Sequence, residues 1–321
     1  MPQRSPTVDR RGFLVAAAGL AVAPRALAAG PRRVALVTAE LESHVVAVDL
    51  ASGRILRRIE TAPDPRSVEA VGPAAVVGHF TAGAVTLIDA ATLRVAHVLH
   101  GFGAPRYVAG HPDGRHAYVS DARLGQVVAL DVRRGRTLGR ADVGAEARHV
   151  SVDPAGRTLW VSLGSKAAEV AVVDLTDPAR PTLRRRFRPP FLAHDVGFAP
   201  DGRHVWVSSG DRDELAVYDA RDGRLLARPS GDWPPQHVTF HGGLAYVTSG
   251  WSGTLRVHRA AGAPLSTTVV PVGSYNVQQA GGRVLTPGLG TGTLVVLDDA
   301  ARILRSERVA RSTHDCCVVS A

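Results

Sequence analysis

The chain has 321 residues, 45% of them hydrophobic, enough to bury the core of one large domain or two ordinary ones. Its formal net charge is +9, yet the basic residues are Arg throughout, spread over every segment, with Lys166 the single lysine. That spread argues against a nucleic-acid face, which gathers its cations into a stripe, and the densest run, Arg184 to Arg188, is short and suits a solvated outer strand.

The first element is a targeting segment over residues 1–28, outside the fold. Arg10 and Arg11 precede an apolar run from Phe13 to Ala23, and Ala26-Leu27-Ala28 offers small residues for cleavage. The run is too short for a bilayer, which needs about 20 apolar residues. "RRGFL" resembles a twin-arginine export signal and implies an exported protein, periplasmic or extracellular. Removing four Arg and one Asp takes +3 from +9 and leaves +6. Residues 29–32 form a short linker, and no later segment has the length and apolarity of a membrane span.

From residue 33 one pattern repeats. Apolar residues ending in Asp recur at Asp49, Asp89, Asp131, Asp174, Asp219 and Asp298, with Arg259 in the Asp place between the last two. The steps are 40, 42, 43, 45, 40 and 39 residues. A second mark keeps the same beat: "HPDGRHAYVS", "DPAGRTLWVS", "APDGRHVWVS", then the weaker "FHGGLAYVTS" and "AGGRVLTPG". Each unit reads as four short strands, because β-branched runs alternate with Gly, Pro and Asp turns. Units of that length predict an all-β, seven-bladed β-propeller of four-stranded blades over residues 33–321. Second strands start near Arg33, Ala74, His116, Thr158, His204, Leu244 and Arg283. First strands start near Arg66, Arg106, Arg148, His194, Gln236, Tyr275 and His314. The chain therefore enters on a second strand and ends on a first strand, "HDCCVVS", which pairs into the N-terminal blade and closes the ring.

"PDGRHVWVSSGDRDELAVYDARDGRLL" resembles the repeat of the YVTN (YncE-like) seven-bladed propellers, over nearly all of residues 33–321. The resemblance implies a WD-like repeat protein of a kind often exported. More distant relatives of that fold include lactonases and the propeller subunits of periplasmic redox enzymes.

Propeller ligands gather where first strands begin. Just before the aligned Val stand Ser67, Tyr107, His149, Asp195, His237, Asn276 and Asp315, and period-two alternation assigns these to the channel. One position earlier stand Arg66, Arg106, Arg148, His194, Gln236, Tyr275 and His314, expected toward neighbouring blades or the rim. His149, Asp195, His237 and Asp315, joined by Cys317, could hold a divalent metal (Cu, Zn, Fe or Mn), or the polar ring could simply bond neighbouring loops and water. Arg66, Arg106 and Arg148 could hold a small anionic ligand or pair with loop carboxylates. Cys316 takes a core Val position. Its neighbour Cys317 is expected on the channel face, and a bond between adjacent cysteines would be strained. The sequence thus predicts a ligand-binding or protein-interaction scaffold at the cell envelope, with an envelope protein or small anion as partner. The alternative is a metal-dependent enzyme, lactonase-like or a periplasmic oxidoreductase component, although no reaction-specific motif is present.

Overall fold

A computed structural model of the chain describes Met1 and residues 32–164, 168–259 and 262–321. The targeting segment expected over 1–28 lies outside the described residues. Residues from Arg33 onward form seven four-stranded antiparallel sheets, the blades of a propeller. Blade 1 is ordered Cys316–Ser320, Arg33–Ala39, His44–Asp49, Ile55–Glu60, and the other six run through the chain in sequence. The innermost strands of blades 2 to 7 are Pro65–Val71, Pro105–Gly110, Ala147–Val152, Ala193–Phe198, Val238–His241 and Gln278–Ala280. Each touches the next around the ring, and Cys316–Ser320 touches both Gln278–Ala280 and Pro65–Val71. Among the described residues the only helical element is the 3-10 turn Glu40–Glu42, and no helix is long and apolar enough to cross a membrane.

The inner strands are apolar on both faces because each blade is covered by two others. Seven apolar clusters result, one at each junction between blades. Cys316 packs with Val37, Leu285 and Leu294 between blades 7 and 1, while Cys317 packs with Leu36, Val45 and Val68 between blades 1 and 2. The outermost strands, such as Arg94–Leu99 and Thr182–Phe187, are exposed and richer in polar residues. The "PDG" hairpins repeat one device. Asp113 Oδ1 accepts from Arg115 N and His116 N at 2.8 and 3.0 Å, Asp201 Oδ1 accepts from Arg203 N and His204 N at 2.8 and 3.1 Å, and the following Gly114 and Gly202 have φ of 63° and 64°.

The ring closes as the sequence predicts. Residues 33–37 pair with residues 316–320, Leu36 opposite Cys317. The Asp315 carboxylate joins this seam to blade 2, accepting from Cys316 N at 2.9 Å and Val68 N at 3.0 Å.

Candidate functional site

The site follows from an irregularity in the inner ladders. In blades 3, 4 and 5 the pairing of first and second strands slips by one residue, between Pro105 and Val108, Ala147 and Val150, and Ala193 and Val196. Two residues then face one: Arg106 and Tyr107 stand against Ser120, Arg148 and His149 against Ser162, His194 and Asp195 against Ser208. Blade 2 slips similarly between Pro65 and Ser67. Strict alternation would send only one residue of each pair to the axis, whereas a bulge re-aims both. Blades 1, 6 and 7 start their first strands later than expected, at Cys316, Val238 and Gln278.

Small hydroxyls hold the bulges. Ser162 Oγ accepts from His149 N at 3.3 Å and donates to His194 O of the next blade at 2.9 Å. Ser208 Oγ likewise accepts from Asp195 N at 3.0 Å and donates to Gln236 O at 2.6 Å. Ser120 bonds Tyr107 N at 3.1 Å and reaches Arg148 O. Thr38 Oγ1 accepts from Asp315 N at 2.9 Å. Thr248 Oγ1 donates to Tyr275 O across to blade 7, and Thr286 Oγ1 donates to Asn276 O at 2.7 Å.

Inside this belt Tyr107, His149 and His237 meet, from blades 3, 4 and 6. The Tyr107 and His149 ring centroids are 3.9 Å apart, His149 Nε2 lies 2.9 Å from His237 Nε2, and Tyr107 Oη lies 3.4 Å from His237 Nε2. His149 Nδ1 donates to His194 O at 2.6 Å, and His237 Nδ1 lies 3.4 Å from Asp195 Oδ2. Asp195 also accepts from Val196 N at 2.7 Å and Val238 N at 3.2 Å. Burial pushes His149 and His237 well below the usual imidazole range, helped by His237 and Arg148 for His149 and by His194 and Arg148 for His237, so both are neutral near pH 7. Burial lifts the Asp195 and Asp315 carboxyls to about 7.

Two cavities meet this layer. Below it a chamber of about 280 Å³ is lined by Glu69, His149, Asp195, Asn276 and Asp315 among others. Above it a mouth of about 370 Å³ has Arg66, Arg148, His194 and His314 on its wall, faced by Trp233, Trp251 and Tyr275. Tyr107 and His237 border both. Arg106 lies in an adjoining hollow with Phe80, Glu146 and Arg148, its guanidinium 4.9 Å from the Phe80 ring centre. Burial, with Arg148 and Arg66 nearby, lowers Arg106 to about 10. Arg66 is paired with Glu40 at 2.8 Å. Arg148 is 7% exposed, and its Nε, like those of Arg66 and Arg106, has no hydrogen-bond partner among the described residues.

The expected metal set is rearranged. The donor nitrogens of His149, His194 and His237 lie within 4.8 Å of one another, a cluster that could hold a metal. Asp195 stands behind His237, and Asp315 is engaged at the seam. Cys317 is not on the channel, because alternation on a propeller strand chooses between two covering blades. Both thiols are free and buried, and burial raises them well above the ordinary thiol range. Ser67 is buried, and Asn276 Nδ2 donates to His314 O at 2.6 Å. Sequence reasoning missed the hydroxyl belt and the loop residues Phe80, Trp233 and Trp251. The signals available were the Ser or Thr after the second-strand "YV" and "WV" pairs at Ser120, Ser162, Ser208 and Thr248, and the Trp residues of "DWPP" and "GWSG", placed among turn formers.

Fold and site together define a seven-bladed propeller whose axial mouth is walled by arginines and histidines on one side and aromatic rings on the other. The chain belongs to the lactonase, 7-bladed beta-propeller family, whose model matches residues 74–271. No curated protein matches it. Among solved structures it is similar to Kuenenia stuttgartiensis hydrazine synthase, at 15% identity and TM-score 0.73, covering 83% of this chain and 92% of that one. It is similar also to the dihydro-heme d1 dehydrogenase NirN in complex with DHE, at 19% identity and TM-score 0.64, covering 86% and 64%. A functionally unknown protein from Desulfotomaculum acetoxidans aligns at 12% identity and TM-score 0.78, covering 89% and 98%. At these identities the likeness is one of fold.

Proposed function

We propose that the protein is an exported, YVTN-type propeller that binds a small organic anion in its axial mouth at the cell envelope. The observation that carries this is Arg148, nine-tenths buried on the wall of the mouth with its Nε unpartnered, beside Arg66 and Arg106. A buried guanidinium calls for an acceptor, and carboxylate or phosphate oxygens match its fork. Trp233, Trp251 and Tyr275 on the facing wall favour an anion with an apolar body. Export rests on the residues of the targeting segment.

The test is calorimetric titration of the protein lacking residues 1–28 with aromatic and aliphatic carboxylates and phosphate monoesters. At least one should bind, and Arg148→Gln should weaken it by roughly 10- to 100-fold, as losing a charged hydrogen bond of about 1.5–3 kcal/mol requires. Indifference of every anion to Arg148→Gln would remove the proposal. Family membership supports a second reading, hydrolysis of an anionic lactone held by the same arginines, with water attacking beside His149 and His237. Turnover of carboxylated lactones, followed by acid release at constant pH, separates binding from hydrolysis.

A further inference from the structure

We infer that the axis carries a transition-metal site built by the imidazoles of His149, His194 and His237, one from each of blades 4, 5 and 6. Their donor nitrogens already lie within 4.8 Å of one another, on a part of the ring where His149 and His194 are buried. The orientation of the rings is the stronger argument. A carbonyl only accepts, so His149 Nδ1, 2.6 Å from His194 O, carries the hydrogen and leaves the Nε2 lone pair facing the axis. His237 turns its Nδ1 toward Asp195 Oδ2 at 3.4 Å and its Nε2 toward His149 Nε2 at 2.9 Å. One outer nitrogen held by a carbonyl and another facing a carboxylate, with the inner nitrogens converging, is the arrangement that orients metal-bound histidines. Nitrogens bound to one ion at about 2.0–2.1 Å lie roughly 3.3 Å apart in a tetrahedral site, close to the observed pair. Tyr107 Oη, 3.4 Å from His237 Nε2, is placed to meet a fourth ligand or water.

Three imidazoles select zinc or copper(II) over the oxygen-seeking magnesium and calcium. Arg148 opposes a dication there, and Asp195 offsets it. The surface group His111, Asp113 and His116 is different in kind. His111 Nε2 donates to Gly156 O at 2.9 Å, its Nδ1 accepts from Asp113 N at 3.2 Å, and the 2.6 Å His116–Asp113 bond recurs as His204–Asp201 in blade 5. That group belongs to the hairpin. The axial metal needs no anion in the mouth, so it stands or falls apart from the proposed ligand.

The experiment uses tagless protein lacking residues 1–28, stripped with chelator and titrated with cobalt(II) by visible absorption and with zinc by metal analysis. One ion per chain is expected, unaffected by His116→Asn. Asp195→Asn should weaken binding by roughly 10- to 100-fold, and the His149→Gln/His237→Gln pair by more than about 100-fold, beyond what an outer partner contributes. Equal binding by wild type and the double variant, or its loss in His116→Asn alone, would overturn the site. Should the double variant fail to fold, electron paramagnetic resonance of copper(II)-loaded wild type decides. Coupling to three imidazole nitrogens supports the site, and fewer refutes it.

Discussion

Ser162→Ala tests the hydroxyl belt directly. Ser162 is fully buried, and the change deletes one oxygen while preserving the strand. His149 N then loses its acceptor, and an orphaned buried N–H costs about 1–3 kcal/mol. His194 O keeps the 2.6 Å bond from His149 Nδ1, so its loss is limited to an ordinary hydrogen bond of about 0.5–1.5 kcal/mol. The sum is about 1.5–4.5 kcal/mol, or a drop of about 3–9 °C in Tm at roughly 2 °C per kcal/mol for a domain of this size. Ser162→Thr keeps the hydroxyl, which Thr38, Thr248 and Thr286 already supply in blades 1, 6 and 7, and should recover most of the loss. Urea titration and calorimetry measure both variants. If Ser162→Ala matches wild type within about 0.5 kcal/mol, the ordinary range for a surface change, the hydroxyl does not hold the bulge.

Deleting residues 316–321 removes the buried Cys316, Cys317 and Val319, each contributing about 1.5–3 kcal/mol, and bares the edge of Arg33–Ala39. Light scattering should find unfolded or associated chains, and a stable monomer would contradict the closure. Cys316→Val should change stability by less than about 1.5 kcal/mol. Neither thiol should react with a disulfide reagent until urea is added, and rapid reaction of the native protein would contradict the packing at both junctions. The pH profile has two limbs. Glu69, enclosed by protein though partly open to the chamber, is raised to about 8 by burial and then by Asp315, and Asp195 and Asp315 to about 7. The folded chain thus keeps protons that the unfolded chain has released, and this stability is complete below about pH 4 and lost as pH rises through 7 to 8. His149, His237 and His314 are lowered well below 6.5, so the unfolded chain gains protons first and stability falls as pH drops below that value. Between about pH 4 and 6.5 the two effects oppose each other, so stability should change least there and fall as pH rises toward 8, and Glu69→Gln should flatten that alkaline fall by about 1.4 kcal/mol per pH unit. Urea midpoints across the range check this, and an unaltered alkaline limb in Glu69→Gln would refute it.

Blade count and strand phase were legible because the hydrophobic period and the turn residues agree in every unit. All seven second strands start where the sequence puts them, from Arg33 to Arg283. The pairs entering the axis were legible as positions, but the side each residue takes was not. A bulge depends on how two strands register, and the residues of Arg148–His149 carry no local mark of it. The partner mark was present in the second strands as Thr38, Ser120, Ser162, Ser208, Thr248 and Thr286. In blade 2 the place falls to Gly78, where a Cβ would come within 2.9 Å of Ser67 Oγ, and that buried hydroxyl has no hydrogen-bond partner among the described residues, so the belt is interrupted there. The meeting of His149 with His237, 88 positions apart, is a property of the closed ring and of no segment within it.

The seam of blade 1 has a consequence for the order of the chain itself. Arg32 and Ala321 exchange backbone hydrogen bonds at 3.1 and 2.9 Å, so a short peptide could join them and the backbone be opened instead between two other blades. In such a permutant all four strands of blade 1 would be contiguous in sequence, and the seam could be placed far from Asp315. A ring has no intrinsic first blade. Moving the cut would therefore separate what closure contributes to stability from what the axial residues contribute to binding, with the amino-acid composition essentially unchanged.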